Sequence, residues 1–291
     1  MIDVHLDTDI GDDIDDVFCL ALLLQCPELA LSGVTTAWGR TGERCDIVAD
    51  LCSQVALAPP IAGGFAVPMA SRRFHDDLLL RLIYPFDGPS KFRTDAVEAL
   101  RLITAVPEDG VILTIGAMTN AAAAMLARDK REPFPRIIAM AGEFQRYGHI
   151  EFNIRCDPEA AHVCFSRGTP IDVIPWSIGP ATKLLPSDID RIRASDTPLC
   201  RRVFHYLQSF WKHVPNKTNM YDPMTVVALL KPELFDWKRG HVAIELRGEH
   251  TYGQTTFRED PGGPHRVAFG VQAEAANAFL IDRLTGTEAK Q

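Results

Sequence analysis

The chain has 291 residues, 46% of them apolar, which suits one large globular domain or two small ones. Its formal net charge of −8, with no basic run and no alternating Arg/aromatic stripe, argues against a protein that depends on the phosphates of DNA or RNA. A nucleoside or nucleotide remains open as a small ligand. No apolar run reaches the ~18 residues of a membrane span, so no membrane partner is expected. The N-terminus has an aspartate at position 3 and no secretory h-region. The seven cysteines are odd in number and lack a C-x-x-C pair. They read as reduced core residues of a cytoplasmic protein, not as disulfides or a zinc site.

In chain order, "IDVHLD" reads as a strand and "DDVFCLALLLQ" as a helix buried against a sheet. "LALSGVTTAW" is the next strand, and "RCDIVADLCSQVAL" a helix closed by Pro59 and Pro60. "GVILTIGAM" is a short apolar strand leading into the helix "TNAAAAMLAR". "RIIAMAG", "IDVIPWS" and "HVAIELRG" read as further strands. "DPEAAHVCFS" and "DPMTVVALLK" read as helices with Asp at the N-cap and Pro in the first turn. This alternation predicts an α/β fold with an open, largely parallel sheet flanked by helices. No linker, repeat or low-complexity tract divides the chain, so residues 1–291 are expected to form one domain. The helical stretch around 187–220 reads as a lid or an insertion.

The first strand runs into "DTDIGDDIDD", which holds Asp7, Asp9, Asp12, Asp13, Asp15 and Asp16. In a parallel sheet this is the edge where ligands bind. Gly11 permits a tight turn there, and Asp15 or Asp16 can cap the helix that follows. Capping needs one or two carboxylates. The rest would repel one another and raise each other's pKa. A hard divalent cation resolves the conflict, and Ca²⁺, with six to eight oxygen ligands, suits the donor set. A strand-end D-x-D also begins the phosphotransferases of the haloacid dehalogenase type, which is the rival reading.

Four downstream segments, taken with the opening one, weigh against that rival. "DTDIGDDIDD", "LTIGAMTNAAAAM", "IEFNIRCDPEAAHVCF", "YDPMTVVALLKPELF" and "HTYGQTTFRED" resemble, in order, the signature segments of the inosine–uridine preferring nucleoside hydrolases. The most specific of these matches is Glu-Phe-Asn-Ile with Asp-Pro-Glu-Ala-Ala. The resemblance implies a Rossmann-like nucleoside hydrolase fold and Ca²⁺-dependent hydrolysis of a ribonucleoside's N-glycosidic bond. It also implies a role in nucleoside salvage and a homodimer or homotetramer. Asp9 would ligate Ca²⁺ and act as general base toward the attacking water. Asp16, Asp222 and the backbone carbonyl of Ile115 would complete the protein ligands. Asp15 would bind the ribose 2′-hydroxyl, Asn153 and Glu151 the 3′- and 5′-hydroxyls, and Asp222 would also touch the ribose. Such a set fits a reaction that builds positive charge on the sugar ring.

The sequence departs from the family pattern in four places. The opening signature is two residues longer and has Ile10 in place of Pro. Aligning on the helix makes Asp15 and Asp16 the working pair, and aligning on the glycine promotes Asp12 and Asp13. The helix is the better anchor because its N-terminus fixes where carboxylates point. Tyr221 stands where many members have a leaving-group His; a phenol is a weaker acid at neutral pH and can stack on the base instead. Arg40 replaces the usual Asn after Gly, and would pair with a surplus aspartate or meet an anionic substituent. The segment around Trp176 lacks the usual Asp-Val-Thr, which makes Trp176 either a base-pocket wall or a core residue. His75 lies where a pocket histidine is common, without its flanking Gly. These changes touch the base end, so a non-catalytic, metal-dependent nucleoside or ribose binder stands as the alternative.

Overall fold

The computed structural model describes residues 1–70, 89–129 and 132–286. The first half alternates strand and helix: β1 (Ile2–Thr8), α1 (Asp15–Leu24), β2 (Leu29–Thr36), α2 (Thr41–Ser53), β3 (Ile61–Gly63), α3 (Ala96–Thr104) and β4 (Val111–Thr114). It continues with α4 (Thr119–Ala127), β5 (Arg136–Met140), α5 (Phe152–Cys156), α6 (Pro158–Ser166) and β6 (Ile171–Ile174). Then come α7 (Pro186–Ala194), α8 (Pro198–Trp211), α9 (Pro223–Leu230), β7 (Phe235–Ile244), β8 (Thr255–Glu259), β9 (His265–Val271) and α10 (Ala273–Thr285). The described strands form one sheet in the order β3-β2-β1-β4-β5-β6-β9-β7-β8. It is parallel from β3 through β9 and antiparallel only where β7 meets β9 and β8. The expected α/β class with a largely parallel open sheet is what the chain adopts.

Side chains alternate across the central strands, so each strand feeds two cores. Val111, Leu113, Ile138 and Met140 face one apolar cluster, built with α1, α8, α9 and α10. Ile112, Ile137 and Ala139 face the other, built with α4 and α6. Helix α1 is buried on nearly every side because α2, α8, α9 and α10 all pack against it. All seven cysteines are buried free thiols. Among the described residues no helix is long and apolar enough to cross a membrane.

Within the 187–220 stretch, α8 buries Leu199, Val203, Leu207 and Phe210 in the same core as α1. Its amphipathic face, apolar at helical spacing, requires that burial. Asp15 and Asp16 do not cap α1. Ile14 stands at the N-cap with no side-chain hydrogen bond, and the two aspartates are the first helical residues. Asp157 does cap α6, accepting from the Ala160 amide.

Candidate active site

The chain leaves β1 through a turn at Gly11, whose φ of +125° suits glycine, and enters α1 five residues after Ile10. Loops after β1, β4, β5 and β6 therefore open on the same edge of the sheet. Between them lies a cavity of about 230 Å³ lined by Asp9, Asp15, Asp16, Ile115, Glu151, Asn153, Trp176, Tyr221 and Asp222, among others. One carboxylate oxygen each from Asp15, Asp16 and Asp222 lies within 4.8 Å of the others, and all three residues are buried. Asp222 stands at the N-cap of α9, yet its side chain caps nothing and is left to the cluster. Asp16 accepts from the Thr8 hydroxyl at 2.5 Å. Asp15 accepts from the amides of Tyr221 and Asp222, at 3.2 and 3.4 Å, which ties α1 to the start of α9.

Burial and mutual repulsion dominate the electrostatics. Asp9 is pushed up to about 8, first by burial and then by Asp12, Asp15 and Glu151, against the pull of Arg44. Asp15 is pushed up to about 7 by burial and by Asp13. Asp16 and Asp222 are held well above the carboxylate range by burial and by their acidic neighbours. Buried carboxylates in this arrangement are the donor set of a hard divalent cation, which would restore their ionised forms. Asp15, Asp16 and Asp222 form the tightest group, and Asp9 lines the same cavity.

Glu151 is tightly held. Its carboxylate caps α5 through the Asn153 and Ile154 amides and accepts from the Gly142 amide as well, at 2.7 to 3.1 Å. The Asn153 side-chain amide donates to the carbonyls of Ile115 and Met140, both at 3.0 Å. A carbonyl oxygen has two lone pairs, so Ile115 keeps one acceptor site toward the cavity. At the other end of the cavity the Trp176 and Tyr221 rings stack, with centroids 6.3 Å apart and planes 27° from parallel. The Tyr221 ring rests where a side chain at position 179 would stand, since a Cβ on Gly179 would lie 1.9 Å from it. Burial and then Asp15 and Asp13 raise the Tyr221 hydroxyl above its usual range, so it stays protonated.

Residues 4–281 match the family model described as inosine-uridine preferring nucleoside hydrolase. The chain belongs to this family. A pyrimidine-specific ribonucleoside hydrolase RihA of Shewanella oneidensis is 31% identical over 97% of this chain and 95% of its own length. The protein of the same name from Enterobacter sp. is 29% identical, over 87% of this chain and 86% of its own. Among solved structures, a plant nucleoside hydrolase superposes with a TM-score of 0.77 at 24% identity, covering 98% of this chain and 99% of its own. A purine-preferring ribonucleoside hydrolase from Gardnerella vaginalis superposes with a TM-score of 0.79 at 21% identity, covering 98% of each chain. The chain is a nucleoside hydrolase, an enzyme that hydrolyses N-glycosyl bonds.

That membership sets aside the phosphotransferase reading, and the first aspartate of "DTD" agrees. Asp7 is buried beneath the site of the nucleoside hydrolase, where its carboxylate accepts from Asn120 and Thr35, both at 2.7 Å. Asn120 and Thr255, from two of the signature segments, are braces. Asn120 ties β1 to α4, and Thr255 bonds the backbone of Glu143. Asp12 and Asp13 line the cavity but are each paired with a cation, Arg44 and Lys217, apart from the Asp15–Asp16–Asp222 group.

Arg40 is not in the pocket. It pairs with Glu43 at 2.7 Å on the first turn of α2 and is about half exposed, because that partner lies one turn away. The guanidinium that meets a surplus aspartate is Arg44, fully buried, which bonds Asp12 and the carbonyls of Trp38, Asp9 and Ile10. A single Arg inside the apolar helix pattern "RCDIVADLC" was its only sequence signal. Lys217, which also lines the cavity, had none. His75 lies outside the described residues.

Proposed function

We propose that this nucleoside hydrolase cleaves ribonucleosides in a Ca²⁺-dependent reaction, releasing a free base and ribose. The observation that carries the reading is the meeting of buried Asp15, Asp16 and Asp222 carboxylates beside Asp9. Asp9, Asp16, Asp222 and the Ile115 carbonyl would hold the ion; oxygen donors of this kind select Ca²⁺ over softer metals. When bound, such a cation lowers the pKa of a water and orients it.

The protein's own groups do the rest. Asp9 accepts the proton of the attacking water. Ionised once a cation balances its neighbours, its carboxylate lines the cavity where that water would stand. Asp15 accepts from the ribose 2′-hydroxyl, and Asn153, Glu151 and Asp222 bind the other sugar hydroxyls. As the C1′–N bond opens, positive charge spreads over the sugar ring, and the surrounding carboxylates stabilise it. Glu151, held by three backbone amides, contributes an anion that does not have to reorganise during the reaction. Trp176 and Tyr221 offer flat apolar faces to the base.

The relatives' names divide between pyrimidine-specific and purine-preferring enzymes, so the test carries both kinds of base. A reducing-sugar assay with Ca²⁺ present, across purine and pyrimidine ribonucleosides and their 2′-deoxy analogues, should show ribose release. The deoxy compounds should be cleaved far more slowly, since a site built to bond a hydroxyl rejects the analogue without it. No sugar from any ribonucleoside, with binding retained, would make the protein a binder instead. Equal cleavage of both series would remove the role given to Asp15.

A further inference from the structure

The charged groups of the cavity wall are almost all acidic. Among its described lining residues there are seven carboxyl side chains and a single basic one, Lys217. The acidic groups suit a sugar that becomes positive. They do nothing for the base, which keeps the electron pair of the C1′–N bond and becomes negative. The Tyr221 hydroxyl, a phenol and so a weak acid at neutral pH, is a poor proton source for it.

Lys217 is held in place from both ends. Its ammonium donates to the Asp13 carboxylate, and its carbonyl accepts from the Trp211 indole at 3.1 Å. The segment that follows is fixed by Thr218, which exchanges backbone and side-chain hydrogen bonds with Leu184, and by Asn219, whose amide donates to the Gly179 carbonyl. That segment leads directly into Tyr221, whose ring wall abuts Gly179. Lys217, Trp176 and Tyr221 line the same cavity, so the cation and the aromatic wall share it. Asp13 is only partly buried and Lys217 about one third exposed, so the pair can exchange a partner without stranding a buried charge. Burial pulls the ammonium down, but Asp13 and Asp15 outweigh it and keep it charged.

We propose that Lys217 is the leaving-group residue: its ammonium, presented by Asp13, donates a hydrogen bond to a ring oxygen or nitrogen of the departing base. The inference rests on the ribohydrolase reading. The C1′–N bond breaks with its electron pair retained by the base. The water oxygen forms the new bond to C1′ and gives its proton to Asp9. Lys217 keeps its proton and shares it with the base by hydrogen bonding, and the released base takes a proton from solvent. The contribution is electrostatic and is largest when charge on the base is largest.

The test compares wild type, Lys217→Met and Lys217→Arg on uridine, inosine and p-nitrophenyl riboside. The nitrophenolate leaves without help. Met keeps the apolar stem and Arg keeps the charge and the tether to Asp13. For Lys217→Met, kcat on the natural nucleosides should fall by about a hundredfold, at least thirtyfold more than on the nitrophenyl riboside, with KM changed by less than about threefold. Lys217→Arg should recover most of that loss. Thermal unfolding of both variants reports the tether separately. Equal losses on all three substrates would make Lys217 a structural tether and overturn the proposal. So would a loss confined to KM, or a loss of kcat that Arg does not repair. If wild type itself released no ribose from any of the three, the ribohydrolase reading would fall first, and the proposal with it.

Discussion

At the amino edge of the sheet, Asp172 on β6 lies between two guanidiniums. Arg266 of β9 bonds both of its oxygens at 2.7 Å, and Arg136 of β5 joins from the other side. Burial would raise this carboxyl, but Arg266 and Arg136 override it and hold the group below its usual range. At the carboxyl edge, Asp9, Asp16 and Asp222 are as deeply buried and are pushed the other way. The cations near them among the described residues are taken by Asp12 and Asp13. A carboxylate that the fold neutralises is part of the scaffold. A group of them left without cations is a cost that persists because something else balances it, and it marks the site.

Substitutions at the two edges should therefore separate. Asp9→Asn should lower kcat for ribose release by about a thousandfold or more, since it removes the base and an anionic oxygen together. Asp172→Asn should leave kcat within about threefold and cost about 2 kcal/mol of unfolding free energy in a urea titration, because it strands two arginines that are still partly solvated. A stable Asp172→Asn protein with ruined turnover would break the comparison. Asp222→Asn sharpens it. In chelated protein this change should raise stability by about 1 kcal/mol, by removing one of several repelling carboxylates. The stabilisation that Ca²⁺ gives wild type should vanish in the same variant, because only an ion bound to the native state stabilises it.

The smallest effect lies between the edges, on β1 itself. His5 is buried, bonded to Thr35 at 3.0 Å, and burial lowers its pKa to about 3. The folded protein thus binds fewer protons than the unfolded chain between about pH 3 and 6.5. Stability from this residue is complete above 6.5 and is lost as pH falls below it. Between pH 6.5 and 5.5 the loss should be about 1 kcal/mol, and His5→Gln should flatten that part of the curve relative to wild type. Identical slopes would mean the ring is protonated in place.

Much of this arrangement was legible in the sequence because it follows from period and position. Ile137 to Met140 alternate between two cores as a parallel strand requires, and "DPEAA" announced a capped helix whose Asp157 does cap. The strand-end position of Asp9, Asp15 and Asp16 followed from the order of elements. Asp222 was half legible: its N-cap position could be read, but not that its carboxylate turns to the cluster. Arg40 was misplaced because adjacency in sequence cannot tell an outward residue just before α2 from Arg44, one turn later, which points in. Lys217 could not be found at all. It reaches Asp13 across 204 positions of sequence, through a contact set by the packing of α8 on α1. The antiparallel end of the sheet was read only in part: β8 has five residues and is mostly exposed, and β9, with seven, buries three of them without a regular alternation.

The most direct test of the central claim, that the uncompensated carboxylates hold one divalent cation needed for hydrolysis, is a Ca²⁺ titration of chelated protein that follows bound metal and ribose release together. Activity should be absent at the start and rise in step with binding, saturating at one ion per chain. Asp172→Asn should follow the same curve, and Asp222→Asn should not bind. Full ribose release from protein shown by elemental analysis to carry no metal would contradict the claim.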